Sequence, residues 1–214
     1  VRNMMEFLQT VPLDGERADR SFEPTDLQDE DVVAIERPDR ALDLCLPVAI
    51  GGVSRHPIAA HARWTIQPDQ TPAEASATFY DRTFPNEPDP ACFLDRSCAL
   101  LETQNHAERE NVLLKVEFVL WKDFRWVEIL DADDAPQGWA IVTRSWFDQS
   151  WEGENGQNSL LQSYATDMWL ERDDGTTWRY QTLWSESEIS LDVTDDAVRA
   201  TLRAGIDASF GRAD

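Results

Sequence analysis

Three histidines, His56, His61 and His106, are the first residues to test for chemistry, because imidazole binds metals and exchanges protons near neutral pH. No two of them stand at i and i+4 on one helical face, so they predict no zinc site. Asp131-Ala132-Asp133-Asp134 resembles the opening of a calcium loop. Pro136 stands where such a loop needs glycine, and Val142 where it needs its closing glutamate, so the stretch reads as a solvated turn. The chain has no Gly-x-Ser-x-Gly elbow, phosphate-binding loop or dinucleotide fingerprint. Among its many carboxylates Asp167 and Glu186 stand out, since strand pairing would aim both at an aromatic face where burial raises a carboxyl pKa. The residues therefore predict no metal, no cofactor and no activated nucleophile.

The elements that would position these groups lie mainly between Val112 and Ile189, where short apolar or aromatic runs alternate with turn signals. Strands are expected at 112–120, 124–130, 139–147, 159–171 and 177–189, joined as an antiparallel meander. The last two close on Asp174-Gly175, a dipeptide suited to a two-residue type I′ turn. That turn places Trp169 opposite Tyr180, Ala165 opposite Trp184 and Asp167 opposite Thr182, all on one side of the sheet.

Before the meander, Met4 to Val11 is apolar, and the acidic, proline-punctuated stretch from Asp14 to Asp31 reads as an arm or tether, making 1–31 an N-terminal extension and 32–214 one domain. A strand is expected around Leu42–Pro47, ended by the Gly51-Gly52 break, and a second at His61–Gln67. Thr71-Pro72-Ala73-Glu74 has the form of a capping box and predicts a helix to about Phe84. After the meander, Thr194 can cap a helix in which Val198, Leu202, Ile206 and Phe210 recur every fourth residue to form one apolar stripe. Arg199 and Arg203 flank that stripe.

Composition narrows the partners. The 214 residues carry a formal net charge of -22, from 41 acidic against 19 basic residues, and Lys115 and Lys122 are the two lysines. Phosphate backbones and anionic membrane faces would be repelled, so no nucleic-acid partner is expected. A carboxylate-rich, lysine-poor surface suits high salt, where screening relieves self-repulsion. The melting temperature is accordingly expected to rise as salt is added from low ionic strength into the molar range; a flat series would mean that the charges are paired or well separated. No run of eighteen apolar residues is present, so no integral membrane segment is expected. The start at Val1-Arg2 reads as the product of processing or of truncation upstream. Cys92 and Cys98, six apart in a Pro- and Asp-rich connection, can close a small disulfide loop, while Cys45 lies in an apolar run as a buried thiol. The disulfide reading implies an extracytoplasmic site, periplasmic, lipid-anchored or secreted; three free thiols in a cytosolic protein are the alternative.

The order of strand, helix, extended region, long antiparallel meander and C-terminal amphipathic helix resembles the helix-grip arrangement of the START and Bet v 1-like superfamily, over roughly Ile58 to Ala213. The resemblance rests on that order, on the aromatic strand Trp139–Phe147 and on the final helix. It implies an α+β fold in which a curved antiparallel sheet grips the C-terminal helix, here with an N-terminal extension, and leaves a cavity for lipids, sterols or polyketides. The expected ligand is an apolar small molecule or lipid held against Trp139, Trp169, Tyr180 and Trp184, with Leu202 and Ile206 closing one side and Arg144 or Asp167 fixing orientation. Two other readings stay open: a metal-independent cyclase or aromatase of the same fold, and an interaction domain with a filled core. Nothing in the residues specifies an oligomeric state.

Overall fold

The computed structural model describes residues 20–22, 24–74, 76–87, 89–110, 115–154, 156, 158–190 and 193–212. Strands β1 (Arg20–Phe22), β2 (Leu46–Ser54), β3 (Ala77–Thr83), β4 (Leu101–Glu110), β5 (Lys115–Leu130), β6 (Pro136–Trp146), β7 (Trp151–Glu152), β8 (Asn158–Glu171) and β9 (Thr177–Ile189) form one antiparallel sheet. Two α-helices accompany it among the described residues, α1 (Ile58–Thr65) and α2 (Asp195–Arg212). The strand order is β1-β2-β9-β8-β6-β5-β4-β3, with β7 pairing to β8 off that path. The architecture is thus α+β, a curved sheet with α2 across its concave face.

The period-2 alternation of the strands divides the core into two layers. On the concave side Val48 and Ile50 of β2 and Leu183 of β9 pack against Leu202, Ile206 and Phe210 of α2. The Phe210 ring lies over Gly52, 3.5 Å from where a Cβ would stand. Helix α2 starts as its sequence dictates: the Thr194 hydroxyl accepts from the Ala197 amide at 3.3 Å, and Asp195 and Asp196 face the positive end of the helix dipole. On the outer side the segment after β1 lays Leu27, Val32 and Cys45 over Trp146, Tyr164 and Trp184. There the Trp184 indole donates to the Thr25 carbonyl at 3.0 Å, and Arg40 forms an ion pair with Glu186, whose carboxylate also accepts from Gln162 at 2.8 Å. The arm expected over 1–31 is thus described from Arg20 onward, where β1 adds to the sheet edge; residues 1–19 lie outside the described residues.

Several sequence expectations are corrected. The turn between β8 and β9 holds three residues, Asp173 to Gly175: the Arg172 amide donates to the Thr176 carbonyl at 3.1 Å, and the Gly175 amide to the Arg172 carbonyl at 3.0 Å. Gly175 takes φ +80°, the left-handed residue that follows a type I turn in such loops. One extra loop residue shifts the register by one, so Trp169 pairs with Arg179, Ala165 with Leu183, Asp167 with Gln181 and Tyr164 with Trp184. Trp169 and Tyr180 consequently lie on opposite faces of the sheet.

The strands expected at 112–120 and 124–130 form one continuous β5; residues 112–114 lie outside the described ones. His61–Gln67 is not a strand: Ile58, Ala62 and Thr65 are buried at helical spacing, and Pro57 sets the start of α1. Nor does a helix run from Thr71 to Phe84. It stops after a single 3-10 turn at Thr71–Ala73, because Glu74 turns to an ion pair with Arg109 at 2.8 Å and the Thr-, Phe- and Tyr-rich run beyond pairs with β4 as an edge strand. Finally, Leu42–Leu44 is a 3-10 turn, and β2 runs through Gly51-Gly52.

Candidate functional site

Between the concave face and α2 lies a cavity of about 170 Å³. One wall is built by β5 through alternation alone: Val116, Phe118, Leu120, Lys122, Phe124 and Trp126 all point to the helix side, and the first four line the cavity. Phe147, Leu160 and Leu183 extend the apolar wall, and α2 closes it with Val198, Leu202 and Ile206. Serine and threonine hydroxyls, among them Ser145, Ser163, Ser185 and Thr201, interrupt it. Charge enters at one side, where Glu74, Arg109 and Lys122 line the same space.

The electrostatics of that side are particular. Burial pushes the Glu74 carboxyl up, but the charges of Arg109, Lys122, Arg179 and Arg82 outweigh it and hold the pKa below the ordinary glutamate range. Asp167, buried on the same face and accepting from the Thr143 hydroxyl at 3.0 Å, goes the other way: burial raises its pKa despite Lys122, Arg179 and Thr143. Above the ordinary aspartate value of about 3.9 the unfolded chain has released this proton while the folded chain still holds it, so stability falls as pH rises through the interval up to the folded pKa. Asp167→Asn removes that titration. The variant is expected to melt above wild type at pH 7–8, with the difference shrinking toward pH 4 and below; a constant difference across the range would refute the linkage. Glu186 has the opposite sign. Its hydrogen bonds from Arg40 lower its pKa, so the stability they confer is present above the ordinary glutamate range and lost as pH falls through the folded value.

A larger hollow, about 380 Å³, lies on the outer face between the segment 25–35 and strands β5, β6 and β8. Its floor includes Asp123, a buried carboxylate already held by the Arg144 amide at 3.2 Å and by the Arg144 guanidinium. A third hollow, about 410 Å³, lies over α1 and is lined by His56, Ala60, His61, Trp64 and Arg212. The space under α2 combines apolar walls with charged side chains, and it is the hollow that lies between the sheet and the gripped helix. Among the described residues no group of His, Cys, Asp and Glu is arranged to hold a metal ion.

No family model matches the chain, and no curated protein matches it. Solved structures with a similar course of chain include TTHA0849 from Thermus thermophilus, 11% identical, covering 78% of this chain and 96% of that one at a TM-score of 0.45. The human StarD13 lipid transfer and protein localization domain is 10% identical, with 78% and 74% covered at 0.44. The Zhui aromatase/cyclase from Streptomyces sp. R1128 is 11% identical, with 79% and 93% covered at 0.40. What decides the fold lies in the chain itself: the first long strand, β2, pairs with the last, β9, and α2 lies against both. The chain has a helix-grip fold.

Within the helix grip the residues expected to bind ligand are divided between the two faces. Leu202 and Ile206 line the cavity, and Asp167 and Trp169 stand on the concave face beside it. Trp139 shares that face at its far end, where Arg96 stacks at 4.2 Å from its ring centroid and 4.6 Å from that of Trp126. Arg144 and Trp184 line the outer hollow, and Tyr180 is buried on the outer side. Glu186 is likewise on the outer side, so it and Asp167 form no pair. Sequence reading passed over Lys122, Arg109 and Glu74. A signal for the first existed: an alternating apolar run from Val116 to Trp126 interrupted by one of only two lysines in the chain.

Cys92 and Cys98 form a disulfide with Cα atoms 5.4 Å apart, and Cys45 is a buried free thiol whose pKa burial pushes up to about 12. Among the described residues no helix is long and apolar enough to cross a membrane. Asp131 sits in the β5–β6 turn, accepting from the Asp133 and Ala135 amides at 2.9 Å, as a solvated turn requires.

Proposed function

We propose that residues 32–214 form one non-catalytic ligand-binding unit that holds an apolar small molecule or lipid between the concave face and α2. The observation that carries this reading is the space between sheet and helix walled by Phe118, Leu120, Phe147, Leu183 and Leu202. Its volume of about 170 Å³ is close to that of cavities which accept benzene, roughly 150 Å³, so a ring or short chain fits it directly and a longer lipid requires α2 to lift. Of the two carboxylates a cyclase-like enzyme could use here, Glu74 is engaged by Arg109 and Asp167 lies outside the walls, which favours binding. The disulfide supports an extracytoplasmic, oxidising location.

Two neutral probes of different size test the proposal: benzene, followed by shifts in the methyl NMR signals of Leu183 and Leu202, and N-phenyl-1-naphthylamine, followed by fluorescence. Saturable uptake of benzene alone identifies a compact ligand, and uptake of both shows that α2 yields. Uptake of neither refutes the reading in favour of an interaction domain with a filled core.

A further inference from the structure

Lysine is the scarce cation of this chain, and its two copies are placed differently. Lys115 is at the start of β5 and forms an ion pair with Glu154 at 2.6 Å. Lys122 stands in the middle of the same strand, between Thr103 of β4 and Ser145 of β6, on the face that looks at α2. Its flanking positions on that face are Leu120 and Phe124, both buried. Among the described residues no carboxylate lies within ion-pair distance of its ammonium. The carboxylate sharing the cavity wall, Glu74, is bound to Arg109, whose own Nε is buried without a hydrogen-bond partner. The cavity thus holds two cationic side chains against one carboxylate, with donor capacity left over, in a protein whose net charge is -22.

Lys122 is half-buried, so its ammonium is drawn partly out of water with no ion-pair partner beside it among the described residues, and an anion in the cavity would supply one. We propose that the ligand is a compact amphiphilic acid, whose anionic group is held by Lys122 while its apolar body fills the space against Phe118, Leu120 and Leu202. This rests on the cavity reading above and adds the chemical class of the ligand. The size of the cavity sets the body at about one ring or a short chain; β5 supplies the counter-charge, Lys122, and the contacts of Phe118 and Leu120, and α2 supplies Leu202.

The test pairs an acid with its neutral isostere: 4-phenylbutyrate and 4-phenylbutyramide, titrated calorimetrically into wild type and Lys122→Met at one fixed pH and salt concentration. In wild type the acid is expected to bind at least tenfold more tightly than the amide, the scale of a charge-assisted hydrogen bond. In K122M the acid should lose at least that factor while the amide changes by less than about twofold. Lys122→Gln replaces K122M if the latter lacks the wild-type circular dichroism spectrum. Equal affinities of acid and amide in wild type, or a preference for acid that survives in the variant, overturn the proposal and leave the cavity reading in place. Uptake of benzene without uptake of the acid does the same. Failure of all these probes overturns both.

Discussion

Leu202→Trp is expected to abolish uptake of the neutral probes while lowering stability by less than about 1 kcal/mol. Leu202 lies on the cavity side of α2, partly buried, between the tightly packed Ile206 and the cavity-lining Val198. An indole at that position can enter space that is now empty, so the added atoms gain contacts instead of displacing neighbours. In a close-packed core the same enlargement forces side chains off their rotamers, typically at 1–3 kcal/mol. Binding and chemical denaturation measured on one preparation separate the two cases. A variant destabilised by more than about 2 kcal/mol whose wild-type parent still binds would place the bound probe elsewhere, the outer hollow beside Arg144 being the alternative.

Phe93→Ala should cost about 3–5 kcal/mol, more than loss of the disulfide beside it. Phe93 is 0% exposed on the short 3-10 turn Pro90–Phe93, with its ring centroid 5.6 Å from that of Trp126 and 6.2 Å from that of Phe124. The Trp126 indole donates to its carbonyl at 2.7 Å, so the turn is held both by packing and by a hydrogen bond. Replacing Cys92 and Cys98 together by serine opens a loop of only a few residues, which chain-entropy arguments set at about 2 kcal/mol. If the double serine variant proves the less stable of the two in urea, the loop is held by its covalent link and not by Phe93. Both variants should still bind probe, since neither Phe93 nor the disulfide lines the cavity.

The terminal helix was legible in the sequence because its cap, its acidic first turn and its stripe are local and agree with one another. The long strands were legible too, but their register was not, since it hung on whether the loop after Arg172 holds two residues or three. Asp173-Asp174-Gly175 is compatible with both, and a shift of one residue exchanges the faces. That is why Tyr180 and Trp184 were expected beside Trp169. Strand β4 escaped notice for a different reason. Its inward positions include Thr103 and Asn105, fully buried, and Asn105 is satisfied by donating to Thr103 and to the Leu120 carbonyl, each at 2.9 Å, while accepting from Arg82 at 2.7 Å. A polar interior of this kind has no apolar alternation to read. In Thr71-Pro72-Ala73-Glu74 a genuine helix-start pattern lost to tertiary pairing, as local propensity does when a neighbouring strand offers a ladder.

The pairing of β2 with β9 has a consequence for how the protein is made. Leu46–Ser54 is bound edge to edge with 177–185, and α2, later still in the chain, packs on the same strand. During synthesis β2 emerges before β9 and must wait, with its apolar side chains and open backbone edge, until the intervening strands and β9 have left the ribosome. Contacts this distant in sequence make folding slow, because the long loop between them must close before the pairing offsets the entropy lost. The space between sheet and α2 is therefore among the last parts of this fold to form, and chains released before β9 expose a sticky strand with no helix laid against it.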